Sequence, residues 1–507
     1  MNRPYGIILP VAILLLLDVA VAYAVKAPRD DYWIERSLIL KTEQNIMIGG
    51  DVKLNYKEQL VNQTIMNMKM KEVDDGFANP RNFLPAQNFL TAARQIEKSE
   101  VFKILKKLPK GAVLHSHDTA IVSWKYVYWN ITFRPNLYVC DVSGVLHLRF
   151  FDKPDMSECE WMLLQNTRQG NRSGMFEERI IRQLTMATAD PVKSYPDVDT
   201  AWAKFTSIFM FITPMLTYRP VYEDHFYQGL LELYRDNVQY LELRSTLPTL
   251  YDLDGKKYGP VEVAKIYKNV TDRFVRDHPD FIGMKLIYAP LRKCSDMEME
   301  AYLATARQLK DELPEFIAGF DLVGQEDKGY PLEKFANRLR ELGDDVQLFF
   351  HAGETNWYGT STDQNLVDAV LLNSKRIGHG YALLKHPKVM ELVRKKNIAI
   401  EVAPISNQVL NLVKDLRNHP ASMLFSENYP VVISNDDPGL WGARGLSYDF
   451  YEAFVGIMSR DADLRALKKL ASNSIAYSSL NTEETKRATK LWNRRWEVFI
   501  ERFSNAR

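Results

Sequence analysis

Val346-Gln347-Leu348-Phe349-Phe350-His351-Ala352-Gly353-Glu354 reads as a buried strand, Val346 to Phe350, that ends in a histidine and places a glutamate three residues later. Working outward, seven further short apolar runs lie between Lys110-Gly111 and Pro438: Ala112 to Leu114, Val238 to Leu243, Ile282 to Tyr288, Ile317 to Leu322, Arg376 to Ile377, Ile398 to Val402 and Val431 to Ser434. Most are separated by stretches long enough for a helix. Strand and helix alternating eight times predict an α/β fold, a closed (β/α)8 TIM barrel. A doubly wound open sheet is the alternative, but no G-x-G-x-x-G follows the first run, so its nucleotide-binding version lacks a phosphate cradle.

The remaining segments frame this unit, which spans residues 108–507. Residues 25–107 read as helical, and residues 125–185, rich in Pro, Asn and Gly, as a loop-rich insertion. Near the C-terminus a helix capped by Asn481 or Thr482 aligns Trp492, Trp496, Phe499 and Phe503 on one packing face.

At 507 residues and 46% hydrophobic content the chain can bury a large core, and 65 basic against 64 acidic residues argue against a nucleic-acid surface. Lys103, Lys106, Lys107 and Lys110 read as a solvated helix face. Residues 1–24 have the three parts of a secretory signal peptide, with Arg3, the apolar run Ile7 to Leu17 and cleavage after Ala22 or Ala24. Asp18 keeps that run short of the ~20 apolar residues of a spanning helix, so secretion is expected and stable membrane insertion is not. Asn62, Asn130, Asn171 and Asn269 begin N-x-S/T triplets, candidate glycosylation sites. Cys140 and Cys159 flank a polar stretch and could form one disulfide, leaving Cys294 as a buried thiol.

The ionisable residues gather at the predicted strand ends, where a barrel of this kind places its chemistry. His115 and His117 end the first run, and an H-x-H pair on a strand points both imidazoles to one face. With His351 and one aspartate of Asp436-Asp437 they make an N3O set that suits zinc with a position left for water.

Leu114-His115-Ser116-His117-Asp118, His351-Ala352-Gly353-Glu354, Arg376-Ile377-Gly378-His379-Gly380, Ser434-Asn435-Asp436-Asp437-Pro438 and Phe320-Asp321-Leu322-Val323-Gly324 resemble the motifs of the adenosine deaminase family. Over almost all of its mature length the chain is similar to that family's secreted, growth-factor-like branch. The resemblance implies that His115, His117, His351 and Asp436 hold one Zn2+ that activates water for attack on C6 of adenosine. It further implies that His379 orients that water and takes its proton, and that Glu354 protonates ring N1. Asp437 then meets N7, the Gly324 N–H meets N3, and Asp118 and Trp202 line the ribose site. A homodimer through residues 25–107 and a disulfide between Cys140 and Cys159 are implied as well. Two departures stand out: Leu291 where close relatives carry a substrate-facing histidine, and Asn435 where serine or threonine is common. The alternatives are a growth factor acting mainly as a ligand for a cell-surface receptor or glycan, and a related hydrolase of another amino-purine or nucleotide.

Overall fold

Eight short parallel strands follow one another in chain order: β1 Gly111–His117, β2 Val238–Ser245, β3 Gly283–Tyr288, β4 Ile317–Phe320, β5 His351–Ala352, β6 Arg376–His379, β7 Ala399–Val402 and β8 Val431–Ile433. The structure, a computed structural model, describes residues 30–169 and 173–504; the signal segment 1–24 and Asn171 lie outside them. β1 to β4 form one four-stranded sheet and β5 to β8 another. Single parallel bridges join the two sheets at both seams, Ser116 with Asp436 and Phe320 with Leu348. At the first seam the His117 N–H donates to the Asp436 carbonyl (3.1 Å), and the Asp436 N–H to that of His115 (3.2 Å). At the second, Val346 to Phe350 departs from the expected full strand: it makes only the Leu348 bridge, and regular pairing begins at His351. The reason is local. Gly319 lets the Gln347 carbonyl come so close that a Cβ would overlap it, and buried Leu348, Phe349 and Phe350 anchor the segment by packing.

Helices between the strands complete the alternation, among them Pro260–Asp277, Asp296–Glu312, Ser361–Leu371 and Pro387–Lys396. The insertion is more regular than its composition suggests. Val145–Phe150, Leu137–Val142 and Met162–Leu163 form a three-stranded antiparallel sheet, and Cys140 is bonded to Cys159 across it. Exposed and buried residues alternate one by one along Val145–Phe150, the period-two pattern of a half-buried strand. Cys294 is buried and free.

The helical stretch before β1 divides in two. Helix Asp30–Ile46 is exposed along its length, with Trp33 at 64% and Leu38 at 59%. Helix Tyr56–Ala78, opened by a capping box between Asn55 and Glu58, packs instead against the last helix, Thr482–Ser504. Trp496 donates its indole N–H to Glu58 (2.7 Å), and buried Lys69 donates to the carbonyls of Ser459 and Ala462 (2.8 Å each). Asn481 caps the last helix, accepting from the Glu484 N–H at 2.9 Å. Lys103, Lys106 and Lys107 are exposed as expected, whereas Lys110 turns inward and donates to the Asp236 carbonyl (2.7 Å).

Inside the ring of strands, Ala112, Leu114, Tyr240 and Val432 make a small apolar layer. Next to it lies a layer of charge. Arg244 donates to Asp321 (2.7 Å) and Glu401 (2.8 Å), and Arg376 to Glu401 and Glu242 (2.6 Å each). Burial alone would raise the Asp321 and Glu401 carboxyls. Their neighbours outweigh it, the His351 ring N–H and the Arg244 cation for Asp321 and the cations Arg244 and Arg376 for Glu401, and hold both below the usual carboxylate range. Removing one member of such a network strands buried charge, so Arg244→Met should cost about 3–5 kcal/mol, read as a lowered urea midpoint. Because both folded pKa values lie below the unfolded ones, the network's stabilisation is complete above about pH 5 and is lost as pH falls through the folded values. The difference between Arg244→Met and the parent should therefore shrink on acidification.

Candidate metal centre and active site

The C-terminal ends of β1, β5, β6 and β8 aim four side chains at one point. Ligand-capable atoms of His115, His351, His379 and Asp436 all lie within 4.8 Å of one another, and those of His117, Asp436 and Asp437 form an overlapping group. The Nε2 atoms of His115 and His117 are 3.3 Å apart, and they lie 3.3 and 3.1 Å from Asp436 Oδ1. The backbone bends sharply to deliver two of these groups: His379 (φ +60°) and Asp436 (φ +56°) both occupy the left-handed region, which costs a side-chain-bearing residue of order 1–3 kcal/mol and clusters at functional sites.

Two of the imidazoles are oriented from behind. His115 Nδ1 lies 2.8 Å from Glu401 and His351 Nδ1 2.7 Å from Asp321, carboxyls that the arginines keep ionised. Each ring therefore donates from Nδ1 and turns the lone pair of Nε2 into the cluster. A carboxylate behind a histidine whose other nitrogen faces a cation is the usual arrangement of metal ligands. Converging nitrogen lone pairs beside the Asp436 carboxylate, with no proton between them, fit a divalent cation. Asp436 Oδ1, 3.3 and 3.1 Å from the His115 and His117 nitrogens, would meet those lone pairs acceptor to acceptor unless a cation lay between them.

The opposite wall is acidic in the other sense. Burial, reinforced by Asp436 and Glu326, raises the Glu354 carboxyl well above its ordinary value, and burial with Asp436 beside it does the same to Asp437. Glu354 Oε1 and Asp437 Oδ1 have no partner among the described residues. The turn carrying Glu354 is held by Glu326, which accepts from the N–H groups of Gly353 (3.0 Å) and Glu354 (2.5 Å).

Asp118 stands ready at the rim of β1: its Oδ2 accepts from Ser245 (2.6 Å), Tyr267 (2.8 Å) and Tyr222 (3.1 Å). Gly324 (φ +107°) has open space where a Cβ would project, limited only by Leu291 at 4.0 Å. Leu291 itself is 54% exposed, at the mouth. Trp202, on helix Val198–Leu216, packs edge-on against Phe205 and lines a depression with Gln325, the residue after Gly324, and Lys328. Asn435 donates to the Gly445 carbonyl (2.8 Å), a structural duty. Of the sequons, Asn130 and Asn269 are exposed, whereas Asn62 is half-buried and accepts from the Leu464 N–H (2.9 Å).

Glu401, Arg244, Arg376 and Glu326 were not among the sequence candidates. Glu401 carried a usable signal, a lone acid inside the apolar run Ile398 to Val402. Glu242, inside the second apolar run, pairs with Arg376.

Comparison with known proteins agrees with this geometry. Residues 179–491, more than half of the chain, match the family described as adenosine deaminase, and residues 11–105 match the adenosine/AMP deaminase N-terminal family. An adenosine deaminase of Phlebotomus duboscqi is 48% identical over 89% of this chain and 88% of its own length. Adenosine deaminase 2 of Homo sapiens is 41% identical over 97% of each. Among solved structures, an Arabidopsis N6-methyl-AMP deaminase superposes with a TM-score of 0.56 at 16% identity, covering 77% of this chain and 99% of its own. A zinc-bound amidohydrolase from Burkholderia ambifaria gives 0.54 at 17% identity over 80% and 94%. These two likenesses show the fold, and the sequence relatives show the lineage: the chain belongs to the adenosine deaminase family.

Proposed function

We propose that the protein is a secreted, zinc-dependent adenosine deaminase that converts adenosine and 2′-deoxyadenosine with water into inosine and 2′-deoxyinosine plus ammonia. The observation that carries the reading is the pairing, in one pocket, of a cation-ready set of histidines and aspartate with two buried carboxyls, Glu354 and Asp437, that each have an oxygen without a partner among the described residues. His115, His117, His351 and Asp436 would hold Zn2+, which suits an N3O donor set. A divalent zinc ion there supplies Lewis-acid activation of a water molecule.

The chain's own residues supply the rest. Glu354, protonated and unpartnered, gives its proton to ring N1, so that C6 becomes electrophilic. Asp437 donates to N7, which offers only a lone pair and so requires the protonated form that burial provides. The Gly324 N–H meets N3, Asp118 contacts the ribose, and His379 holds the attacking oxygen. Trp202 borders the ribose end of the same mouth.

The signal-like N-terminus, the Cys140–Cys159 bridge and the exposed sequons support an extracellular location, where the product would be a lowered adenosine level. The long row of exposed apolar residues on helix Asp30–Ile46 supports a homodimer, with a receptor or glycan as the competing occupant.

The test is the deamination of adenosine against adenosine monophosphate and adenine, with and without a chelator. Glu354→Ala should keep one metal per chain by mass spectrometry while kcat falls about 10²–10⁴-fold. His351→Ala should lose metal and turnover together; loss of metal from Glu354→Ala would reverse the two roles. Leu291→His should lower KM for adenosine by about 2–10-fold, the worth of one hydrogen bond, with kcat little changed. Removal of residues 30–46 alone should convert a dimer to a monomer in light scattering. A larger cut would expose the core beneath helix Tyr56–Ala78.

A further inference from the structure

We infer that Asn407 and His419 form a relay that fixes the ring proton of His379 on Nε2, so that its site-facing nitrogen donates a hydrogen bond and is withheld from the metal. This rests on the deaminase reading for its consequence in catalysis, although the relay itself is read from geometry alone.

The polarity of the chain is set at a group that can only donate. The Ala421 N–H, free because it opens helix Ala421–Ser426, donates to His419 Nδ1 at 3.0 Å. His419 is buried, and burial holds it neutral by lowering its pKa to about 3, so the ring has one proton. With Nδ1 accepting, that proton is on Nε2, which lies 2.9 Å from Asn407 Oδ1. The Asn407 amide is thereby oriented: its oxygen faces His419, and its NH2 faces His379 Nδ1 at 3.1 Å. Turning the amide over would set NH2 against N–H. Asn407 is fully buried, and its main chain is tied to Ala403 (3.1 Å) and Leu412 (2.9 Å).

An amide NH2 has no lone pair to offer, so His379 Nδ1 must be bare and the proton must sit on Nε2. That atom lies 3.6 Å from Glu354 Oε1 and 3.8 Å from Asp436 Oδ2, facing the pocket. The contrast with the neighbouring rings is complete. His115 and His351 meet an acceptor at Nδ1 and therefore present a lone pair, whereas His379 meets a donor at the same atom and presents a proton. Proximity alone does not separate them, because all three come within the same 4.8 Å cluster. The partner behind each ring does. In this state His379 grips the attacking oxygen by donation and has no lone pair toward it, in place of the proton acceptor that family resemblance suggests. Asn407 and His419 are positioning residues.

The experiment is a long-range 1H–15N spectrum of the metal-loaded enzyme labelled with 15N-histidine, with His379 assigned through its loss in His379→Gln. A bare Nδ1 and a protonated Nε2 are expected, and the reverse overturns the inference. Asn407→Asp replaces the donor by an acceptor and should move the proton to Nδ1, lowering kcat about 100-fold with KM within a few-fold. An unchanged kcat in a variant with the moved proton overturns it too. His419→Leu should lower kcat, and His419→Gln, which keeps a donor toward Asn407, should restore part of the loss. If Asn407→Asp does not fold, the parent spectrum decides alone. Failure of the parent to deaminate adenosine would overturn the functional reading and not the ring assignment, which the spectrum settles separately.

Discussion

The guanidinium of Arg244, fully buried between Asp321 and Glu401, is the contact on which the site depends. Two carboxylates inside a barrel repel each other and resist ionisation unless a cation lies between them. With Arg244 in place both remain charged, and each then fixes one imidazole, His351 through Asp321 and His115 through Glu401. The direction in which two rings point is thus decided one shell further from the pocket, at a residue that touches nothing in it. Arg376 extends the same arrangement to Glu242 and stacks its guanidinium over Phe349, 4.4 Å from the ring centre. Thus the seam segment that lacks a regular ladder is also tied to the charged layer.

Barrel interiors are ordinarily filled with branched apolar side chains. Here the apolar layer is thin, and a charged layer follows it toward the mouth. Buried ion pairs of this kind give little net stability compared with apolar packing. Their value lies in geometry, since a guanidinium fork accepts carboxylates only in fixed directions. Opposite electrostatic pulls then act in one pocket. The Asp436 carboxyl is held well below its ordinary range, while those of Asp437, next in sequence, and Glu354 are pushed well above it. The difference comes from what each oxygen faces, because burial is common to all three.

Much of this was legible in the sequence. Short apolar runs, several with ionisable ends, carried the eightfold order, and the period-two rule put His115 and His117 on one side. The weak points have physical causes. Val346 to Phe350 has the composition of a strand, yet pairing is a property of two chains, and its neighbour offers only one bridge there. The insertion looked loop-rich because its turns are polar, while the alternation within Val145–Phe150 was visible and outweighed by them. Asn407 has nothing local to mark it, and Glu401 only its place as a lone acid in an apolar run. Each acquires meaning only from a ring that the fold brings in from more than twenty residues away. Glu242 and Arg244 stand two apart on one strand, yet each finds its counter-charge across the barrel, in Arg376 and in Asp321.

The clasp between the first and last parts of the chain bears on the order in which the molecule can form. Glu58 meets Trp496 across 438 residues of sequence, and Lys69 meets the Ser459 carbonyl across 390. During synthesis, helix Tyr56–Ala78 emerges early and can pack at once only against nearby segments such as helix Glu100–Leu105, while its buried lysine waits for Ser459 and Ala462. That lysine is carried unsatisfied through most of the chain's production. The final helix is therefore the element that completes this clasp.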